Sequence, residues 1–450
     1  MTLGQCATIA VLLWQCIGCS DGLFSHSASR RGSDHRPCAW LPDEHAEWQF
    51  RRSAVGDKVR RLVQPALQRA ELDGWLLIER DYQRDPMLDS FGFTEPGDKA
   101  VLLLDSGGPA PRAFGFGTAP AVVAQLTASG LFEQVSPLTP SAVEDVLARF
   151  HPRRIGIDYS ARIALADGIA TGTRQFAAWL VGREYAGTFR SAENAVIAVR
   201  ADRTPDEVEL AKQAARCAAE IADRELANAT LNAGRTTATE LSSRLAAAIR
   251  DAQLELPSAP QVSIIQLADR PHLAWPWAGP NTDTTIVAGD LVHIELNLRY
   301  AGVAATTQRT AYVRGSWERE VPADVRRAFS TMTQVRASLT PLFRVGATGR
   351  QVAADAAAWA QQQHLSVELT AHPVGYTARE VGTFTCSERP FDPYDPADTL
   401  ADRPLQERDL QALAFHVTVL LDNGNRLTLS AGDVGEVGFG GLALLTPPND

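Results

Sequence analysis

The chain has 450 residues, of which 45% are hydrophobic, and its formal net charge at pH 7 is −10 from 53 acidic and 43 basic residues. This length and composition predict a globular protein with enough apolar residues for two ordinary domains. The acidic balance, without any basic cluster, excludes a surface built to bind nucleic acid.

Residues 1–19 are typical of a segment that is removed during export. The run from residue 7 to residue 17 is mostly apolar, is too short to span a membrane and is followed by polar sequence. Residues 20–45 are rich in Ser, Gly, His and Arg with little apolar periodicity, so they are expected to form a flexible tether.

The end of the apolar run resembles a bacterial lipobox, in which a cysteine after a small residue is lipidated and becomes the mature N-terminus. Gly18 and Cys19 fit that pattern, whereas Cys16 stands where the pattern prefers leucine, and no basic residue precedes the run. We therefore expect an exported bacterial protein, either periplasmic or anchored to the membrane through Cys19. An ordinary cleaved signal or a disordered leader is the alternative.

Removal of the leader and acylation of Cys19 would leave Cys38, Cys217 and Cys386. An odd number of cysteines leaves at least one free thiol.

Between Trp48 and Arg200, helix and strand patterns alternate, which predicts an α/β layered domain. A helix is expected over residues 51–70, and buried strands over residues 73–78, 99–104 and 154–158.

The next domain begins at a clear helix start. Thr204 is a predicted N-cap, Pro205 occupies the first helical position and Glu207 the third, which is a capping box before a long Ala-rich helix. A second helix is expected over residues 239–254, and the glycines within residues 344–349 are expected to end one helix and start another.

Residues 289–313 predict a β-hairpin that faces a buried polar site. Apolar side chains alternate with His293, Glu295, Asn297 and Arg299, so one face of the first strand is apolar and the other is polar. Residues 300–302 are expected to turn the chain, which would place Glu295 opposite Thr306 on the returning strand. His293 is expected to lie at the strand edge away from any chemistry.

This hairpin resembles that of the pita-bread metallohydrolases, the family of aminopeptidase P, methionine aminopeptidase and creatinase. The resemblance rests on Gly289-Asp290 before the strand, Tyr300 and Gly302 at the turn, and the run Gln308-Arg309-Thr310-Ala311-Tyr312-Val313 behind it. Residues 73–78, 155–160 and 191–193 also resemble phrases of the N-terminal domain of aminopeptidase P and creatinase. The resemblance implies an α/β creatinase-like domain over residues 46–200 and an α+β pita-bread domain over residues 203–447.

The family's peptidases hold two divalent metal ions with two aspartates, a histidine and two glutamates. In this chain Glu295 and Thr306 occupy the aspartate positions. His372 aligns with a histidine of the family that does not bind metal. The ligand histidine is replaced by Tyr376 in a direct register, or by Arg379 in the longer register of some secreted relatives.

The resemblance places His416 at the first glutamate position and Ala431 at the second. Asp433 lies two residues beyond Ala431, on the same predicted strand face, and is a partial substitute. A guanidinium cannot coordinate a cation and a threonine hydroxyl is neutral, so we expect no bound metal. A divalent ion such as Mn²⁺ is the alternative.

His272 resembles the substrate-side histidine that metal-free creatinase uses for acid–base catalysis. Imidazole can move protons near neutral pH without a metal. A structural histidine beside two tryptophans is an equal alternative.

These features support three hypotheses. The leading one is a cell-envelope relative of aminopeptidase P that binds a small-molecule or peptide ligand in the old cleft as a pseudoenzyme. The second is a metal-independent C–N hydrolase in which His272 moves the proton and Glu295 anchors the substrate. The third is a working metallopeptidase that uses Glu295, His416 and Asp433. Relatives often dimerise, so a homodimer is one alternative for the assembly.

Overall fold

The computed structural model describes residues 37–42, 44–80, 83–93, 96–267, 283–385 and 400–446. Among the described residues, no helix is both long enough and apolar enough to cross a membrane.

The N-terminal half is an α/β layer built on a six-stranded mixed sheet. The strands are β1 Gly74–Glu79, β2 Lys99–Leu104, β3 Arg112–Gly117, β4 Gln134–Pro137, β5 Ile155–Ile157 and β6 Phe189–Ser191, in the spatial order β4-β3-β2-β1-β5-β6. The helices are α1 Glu44–Lys58, α2 Gln64–Arg69, α3 Pro86–Ser90, α4 Pro120–Ser129, α5 Pro140–Phe150, α6 Thr171–Ala186 and α7 Glu193–Ala201. The predicted strands at β1, β2 and β5 are confirmed, because their apolar side chains are buried from both faces of the sheet.

The helix predicted over residues 51–70 starts earlier, and a π-helical stretch, Val59–Val63, separates α1 from α2. Lys58, at the end of α1, is fully buried. Not every basic residue of this helix therefore faces solvent.

The C-terminal half is an eight-stranded, largely antiparallel sheet with helices on one side. Its strands are β7 Gln261–Gln266, β8 Asp290–Tyr300, β9 Val303–Tyr312, β10 Ser366–Leu369, β11 His372–Pro373, β12 Leu410–Leu420, β13 Arg426–Gly438 and β14 Gly441–Leu444. Its helices are α8 Pro205–Leu231, α9 Ala238–Asp251, α10 Ala323–Leu339 and α11 Gly349–Gln362. Helices α8 and α9 pack on β8 and β9, whereas α10 and α11 pack on β12 and β13.

The predicted capping box at the start of α8 is confirmed. The Glu207 amide donates to the Thr204 hydroxyl at 3.2 Å, and the Thr204 amide donates to the Glu207 carboxylate at 2.9 Å. These two bonds satisfy backbone donors that the first helical turn leaves without partners.

The hairpin of β8 and β9 has a different register from the one predicted. Its loop consists of two residues, Ala301 and Gly302, with φ of 50° and 85°, as a type I′ turn requires. Glu295 therefore lies opposite Gln308, and Thr306 lies opposite Asn297. The predicted pairing of Glu295 with Thr306 is wrong by two positions, because the two-residue loop pairs Tyr300 with Val303.

Strand alternation divides the polar residues of this sheet between its two faces. The even-numbered residues of β8 from Val292 to Leu298 pack under α8 and α9, so Glu295 and Asn297 face the other side. On β13, Ala431 packs with the helices while Gly432 lines the opposite face. That helix-free face of the sheet holds the candidate site.

Candidate functional site

The helix-free face of the sheet contains a cleft of about 360 Å³ at the crossing of β8, β9, β12 and β13. Eight of its twelve lining residues carry polar side chains. The lining residues are Glu295, Asn297, Thr306, Gln308, Thr370, His372, Ala378, Arg379, Ala412, Ala414, His416 and Gly432. Five predicted site residues thus come together: Glu295, Thr306, His372, Arg379 and His416.

Glu295 is the one carboxylate among the described residues that line the cleft. Burial raises its pKa above the usual range, although a hydrogen bond from Asn297 acts in the opposite direction. A raised pKa favours the neutral acid, which can donate a hydrogen bond as well as accept one.

The two cleft histidines favour the neutral form. The pKa of His372 falls to about 4, chiefly because of burial; a hydrogen bond to the Pro373 carbonyl acts against this fall, and the charge of Arg379 contributes to it. Burial also lowers the pKa of His416, although Glu368 opposes the effect. Both imidazoles are therefore uncharged at neutral pH.

A polar row crosses the floor beside the cleft. His416 Nδ1 lies 2.6 Å from Ser430 Oγ, and Thr310 Oγ1 donates to the Ser430 carbonyl at 3.4 Å. His293 Nδ1 lies 2.8 Å from Thr310 Oγ1. His293 is buried and its pKa falls to about 4, chiefly through burial and secondly through His416.

His293 was expected at an edge away from the site, but it lies on the cleft side of the sheet, two residues before Glu295. Period-2 alternation with Glu295 was the signal that could have found it.

Arg379 supplies the fixed cation of the cleft. Its side chain is exposed, its guanidinium carbon lies 5.3 Å from the centre of the Phe384 ring, and its charge acts on His372. None of the described carboxylates forms an ion pair with it. Two registers were predicted for the position of the ligand histidine. The longer one, which selects Arg379, identifies the residue that lines the cleft.

Tyr376, predicted for the cleft in the direct register, lies outside it. Its hydroxyl donates to the Glu207 carboxylate, and its ring is surrounded by Lys58 at 4.9 Å and Arg200 at 4.8 Å from the centroid. Burial and then the neighbouring Glu207 raise its pKa well above the usual range. The tyrosine is part of the contact between the two halves of the molecule.

Asp433 also lies outside the cleft, because it is one residue removed from Gly432 on an alternating strand. Its carboxylate accepts from Arg309 Nη1 at 2.5 Å and Thr307 Oγ1 at 3.3 Å, and Arg336 Nη2 lies 3.4 Å away. All of these contacts are on the helix side. The predicted set of Glu295, His416 and Asp433 is therefore divided between the two faces of the sheet.

The residue of β13 that faces the cleft is Gly432, rather than Ala431 as predicted. The side chain of Gln308 fills the adjacent space: a Cβ at position 432 would lie 2.8 Å from Gln308 Cδ. Gln308 Oε1 is buried and has no hydrogen-bond partner among the described residues. The lining that contains Arg379 therefore also contains an acceptor with no partner in the described part of the chain.

This donor set does not fit a dinuclear metal centre. Hard divalent ions need several carboxylate oxygens around them, whereas this cleft offers one carboxyl group, two imidazoles and a guanidinium. Within the described ranges, no three His, Cys, Asp or Glu side chains are grouped closely enough to hold a metal ion.

His272, the predicted proton shuttle, lies outside the described residues, so the structure gives no distance between His272 and Glu295.

Comparisons with known proteins identify the fold. The model of metallopeptidase family M24 matches residues 209–421. The X-Pro aminopeptidase from Thermotoga maritima superposes with a TM-score of 0.61 and 15% identity, covering 86% of this chain and 99% of that one. The Xaa-Pro dipeptidase from Bacillus anthracis gives a TM-score of 0.58 and 17% identity, covering 88% and 99%.

A third similar structure is the N-terminal domain of FACT complex subunit SPT16 from Cicer arietinum. Its TM-score is 0.59 with 10% identity, and the match covers 89% of this chain and 97% of that one. No curated protein sequence matches significantly. The family match and the shared architecture together show that this chain carries a metallopeptidase family M24 domain over residues 209–421 and has the pita-bread fold.

Proposed function

We propose that this protein is not a conventional metallopeptidase and that its cleft binds a small carboxylate-bearing ligand without a metal ion. The observation that carries the proposal is Arg379, an exposed guanidinium that lines the cleft and pairs with no described carboxylate. A guanidinium repels a metal dication and binds a carboxylate through two parallel hydrogen bonds.

The rest of the cleft suits the same ligand. Neutral His372 and His416 add no charge of either sign, and burial makes Glu295 easier to protonate than an exposed glutamate. Gln308 Oε1, which has no partner within the described ranges, would accept a hydrogen bond from an N–H group of the ligand. A carboxylate next to an amide N–H, as in an N-acyl amino acid or a peptide C-terminus, satisfies both groups.

Family membership is compatible with this proposal. The similar structures include proteins named as an aminopeptidase and a dipeptidase, but also a subunit of the FACT complex. A fold can carry unrelated functions, so activity has to be argued from the residues of the site.

The test is calorimetric titration in chelator with N-acetylglycine and its methyl ester. Wild type is expected to bind the acid and not the ester. Arg379→Met should weaken binding of the acid about 10- to 100-fold, since hydrogen bonds to charged groups contribute roughly 1.5–3 kcal/mol. Arg327→Met, at an exposed surface position, is the matched control. Equal binding of acid and ester would contradict the proposal, as would manganese-dependent cleavage of Xaa-Pro dipeptides.

A second candidate is the metal-independent C–N hydrolase, favoured by the 2.6 Å contact that holds His416 against Ser430 beside Glu295. An oriented neutral imidazole can transfer a proton. Chelator-resistant turnover of amide or guanidino compounds, lost in His416→Ala or His272→Ala, would establish this candidate in place of simple binding.

We further propose that the protein is exported and anchored through Cys19. Support comes from the apolar leader and from the Cys38–Cys217 disulfide, a type of bond found mainly in oxidising compartments. Cys19→Ala should move the protein from the membrane fraction to the soluble fraction. If both forms fractionate as soluble proteins, the anchor proposal fails.

A further inference from the structure

The cleft loop, residues 374–382, carries side chains toward opposite sides. Arg379 faces the cleft, whereas Tyr376 and Glu380 face the N-terminal half. The loop therefore joins the cleft cation to the other half of the molecule.

The Glu380 carboxylate is the centre of this loop. It accepts hydrogen bonds from the amides of Tyr376 at 3.1 Å and Val381 at 2.9 Å, while the nearby Thr377 hydroxyl donates to the Arg379 carbonyl at 2.8 Å. One carboxylate thus connects both ends of the segment that presents Arg379.

Arg200 of α7 holds that carboxylate from the N-terminal half. Its Nε and Nη2 donate to the two Glu380 oxygens at 3.1 and 2.6 Å, and its Nη1 donates to Ser90 Oγ at 2.7 Å. The side chains of Arg200 and Glu380 are only 3% and 1% exposed. A bidentate pair this deeply buried fixes both distance and orientation.

We propose that Arg200 and Glu380 are positioning residues for Arg379, so that the N-terminal half sets the geometry with which the cleft binds a carboxylate. The inference rests on the proposed function, because it assigns a role in ligand binding to residues that do not line the cleft. Loss of the ion pair releases the acceptor that the loop amides share from its anchor in the N-terminal half, which allows Arg379 to move away from the ligand carboxylate.

The experiment compares Glu380→Gln with Asp433→Asn. Both substitutions remove the charge from a buried arginine–carboxylate pair, but the second pair lies on the helix side of the sheet. Binding of N-acetylglycine is measured by calorimetry, and amide hydrogen exchange is followed over residues 374–382.

Glu380→Gln is expected to weaken binding at least tenfold and to speed exchange in the cleft loop, whereas Asp433→Asn should do neither. Arg200→Lys keeps the charge but loses the bidentate geometry, so it should give an intermediate loss of affinity for N-acetylglycine. It also takes the place of Glu380→Gln in the experiment if that variant does not fold.

A double variant distinguishes a positioning role of Glu380 from a general loss of structure in the cleft. If Glu380 acts through Arg379, Arg379→Met combined with Glu380→Gln should bind no more weakly than Arg379→Met alone. Additive losses would overturn the inference, as would wild-type affinity in Glu380→Gln.

If wild type binds no carboxylate, the proposed function fails, and hydrogen exchange alone tests whether the ion pair positions the loop. In that case, unchanged loop exchange in Glu380→Gln overturns the positioning role, and selectively faster exchange supports it.

Discussion

Two buried carboxyl groups in the N-terminal half share an environment that favours a proton between them. Asp158 Oδ1 accepts from Trp75 Nε1 at 2.6 Å, and Asp85 Oδ1 accepts from the Met87 amide at 2.9 Å. Asp158 Oδ2 has no described donor, so a proton shared with Asp85 would satisfy it. Burial raises the pKa of Asp85 to about 6 and raises that of Asp158 further, with the Asp85 charge adding to the second shift.

This pair predicts a specific pH dependence of stability. The folded state binds protons more tightly than the unfolded state, so stability falls as pH rises from about 4 through about 6. Asp85→Asn should remove much of that fall, a difference on the order of 2–3 kcal/mol between the ends of the range, because the pKa shift from 3.8 to about 6 belongs to Asp85. Urea unfolding at several pH values measures it, and parallel pH profiles for wild type and variant would contradict the assignment.

At the same scale, the mixed donor set of the cleft predicts low metal occupancy. After growth and dialysis with manganese, cobalt or zinc, elemental analysis should find less than one ion per chain, because Arg379 and Gly432 replace groups that would hold a dication. A content near two ions per chain that disappears in Glu295→Gln would refute this prediction.

Residue types were easier to predict from sequence than the faces they occupy. Glu295, Arg379 and His416 lie in one cleft as the resemblance implied, but Ala431 and Asp433 were placed one residue out of phase. Because strand side chains alternate, that single step exchanges cleft and helix sides. Tyr376 could not be separated from Arg379 by spacing, since only the folded loop determines which of them faces the cleft.

At the scale of elements, helix starts were more predictable than strand pairing. The capping box at Thr204 is local, and both of its bonds form as expected. The hairpin register depends on the turn instead, where Ala301 adopts a positive φ that alanine disfavours. Nothing in an Ala-Gly pair distinguishes a two-residue turn from a longer one as strongly as Asn-Gly would.

The ion pair between β13 and β9 makes an element-scale prediction. Asp433→Asn should destabilise the protein by about 3 kcal/mol, because it removes the buried charge that faces both Arg309 and Arg336 and leaves Arg309 with the half-exposed Asp223 at 3.4 Å. Asp422→Asn, from an exposed pair with Arg327, should change the free energy of unfolding by less than about 1 kcal/mol. Chemical unfolding of both variants measures this, and equal effects would show that burial does not govern the cost.

At the scale of the whole molecule, a disulfide attaches part of the segment that was predicted to be a flexible tether to the C-terminal half. Cys38 forms a disulfide with Cys217 of α8, 179 residues later in the chain. Trp40 donates a hydrogen bond at 2.9 Å to Glu220, which is also on α8. Cys38 is buried, although it lies within residues 20–45, for which composition predicted flexibility. Sequence reasoning left three cysteines without a pairing because no spacing rule relates positions so far apart.

This disulfide predicts that the oxidised protein is more stable than its cysteine-free counterpart. Closing so long a loop restricts the unfolded chain, so Cys38→Ser with Cys217→Ser should lower the free energy of unfolding by about 2–5 kcal/mol. Reductant should lower wild-type stability by a similar amount and leave the double variant unchanged. Thiol titration of exported, unfolded wild type should find Cys386 as the one reactive thiol among residues 20–450, and two further thiols there would show that the bond does not form.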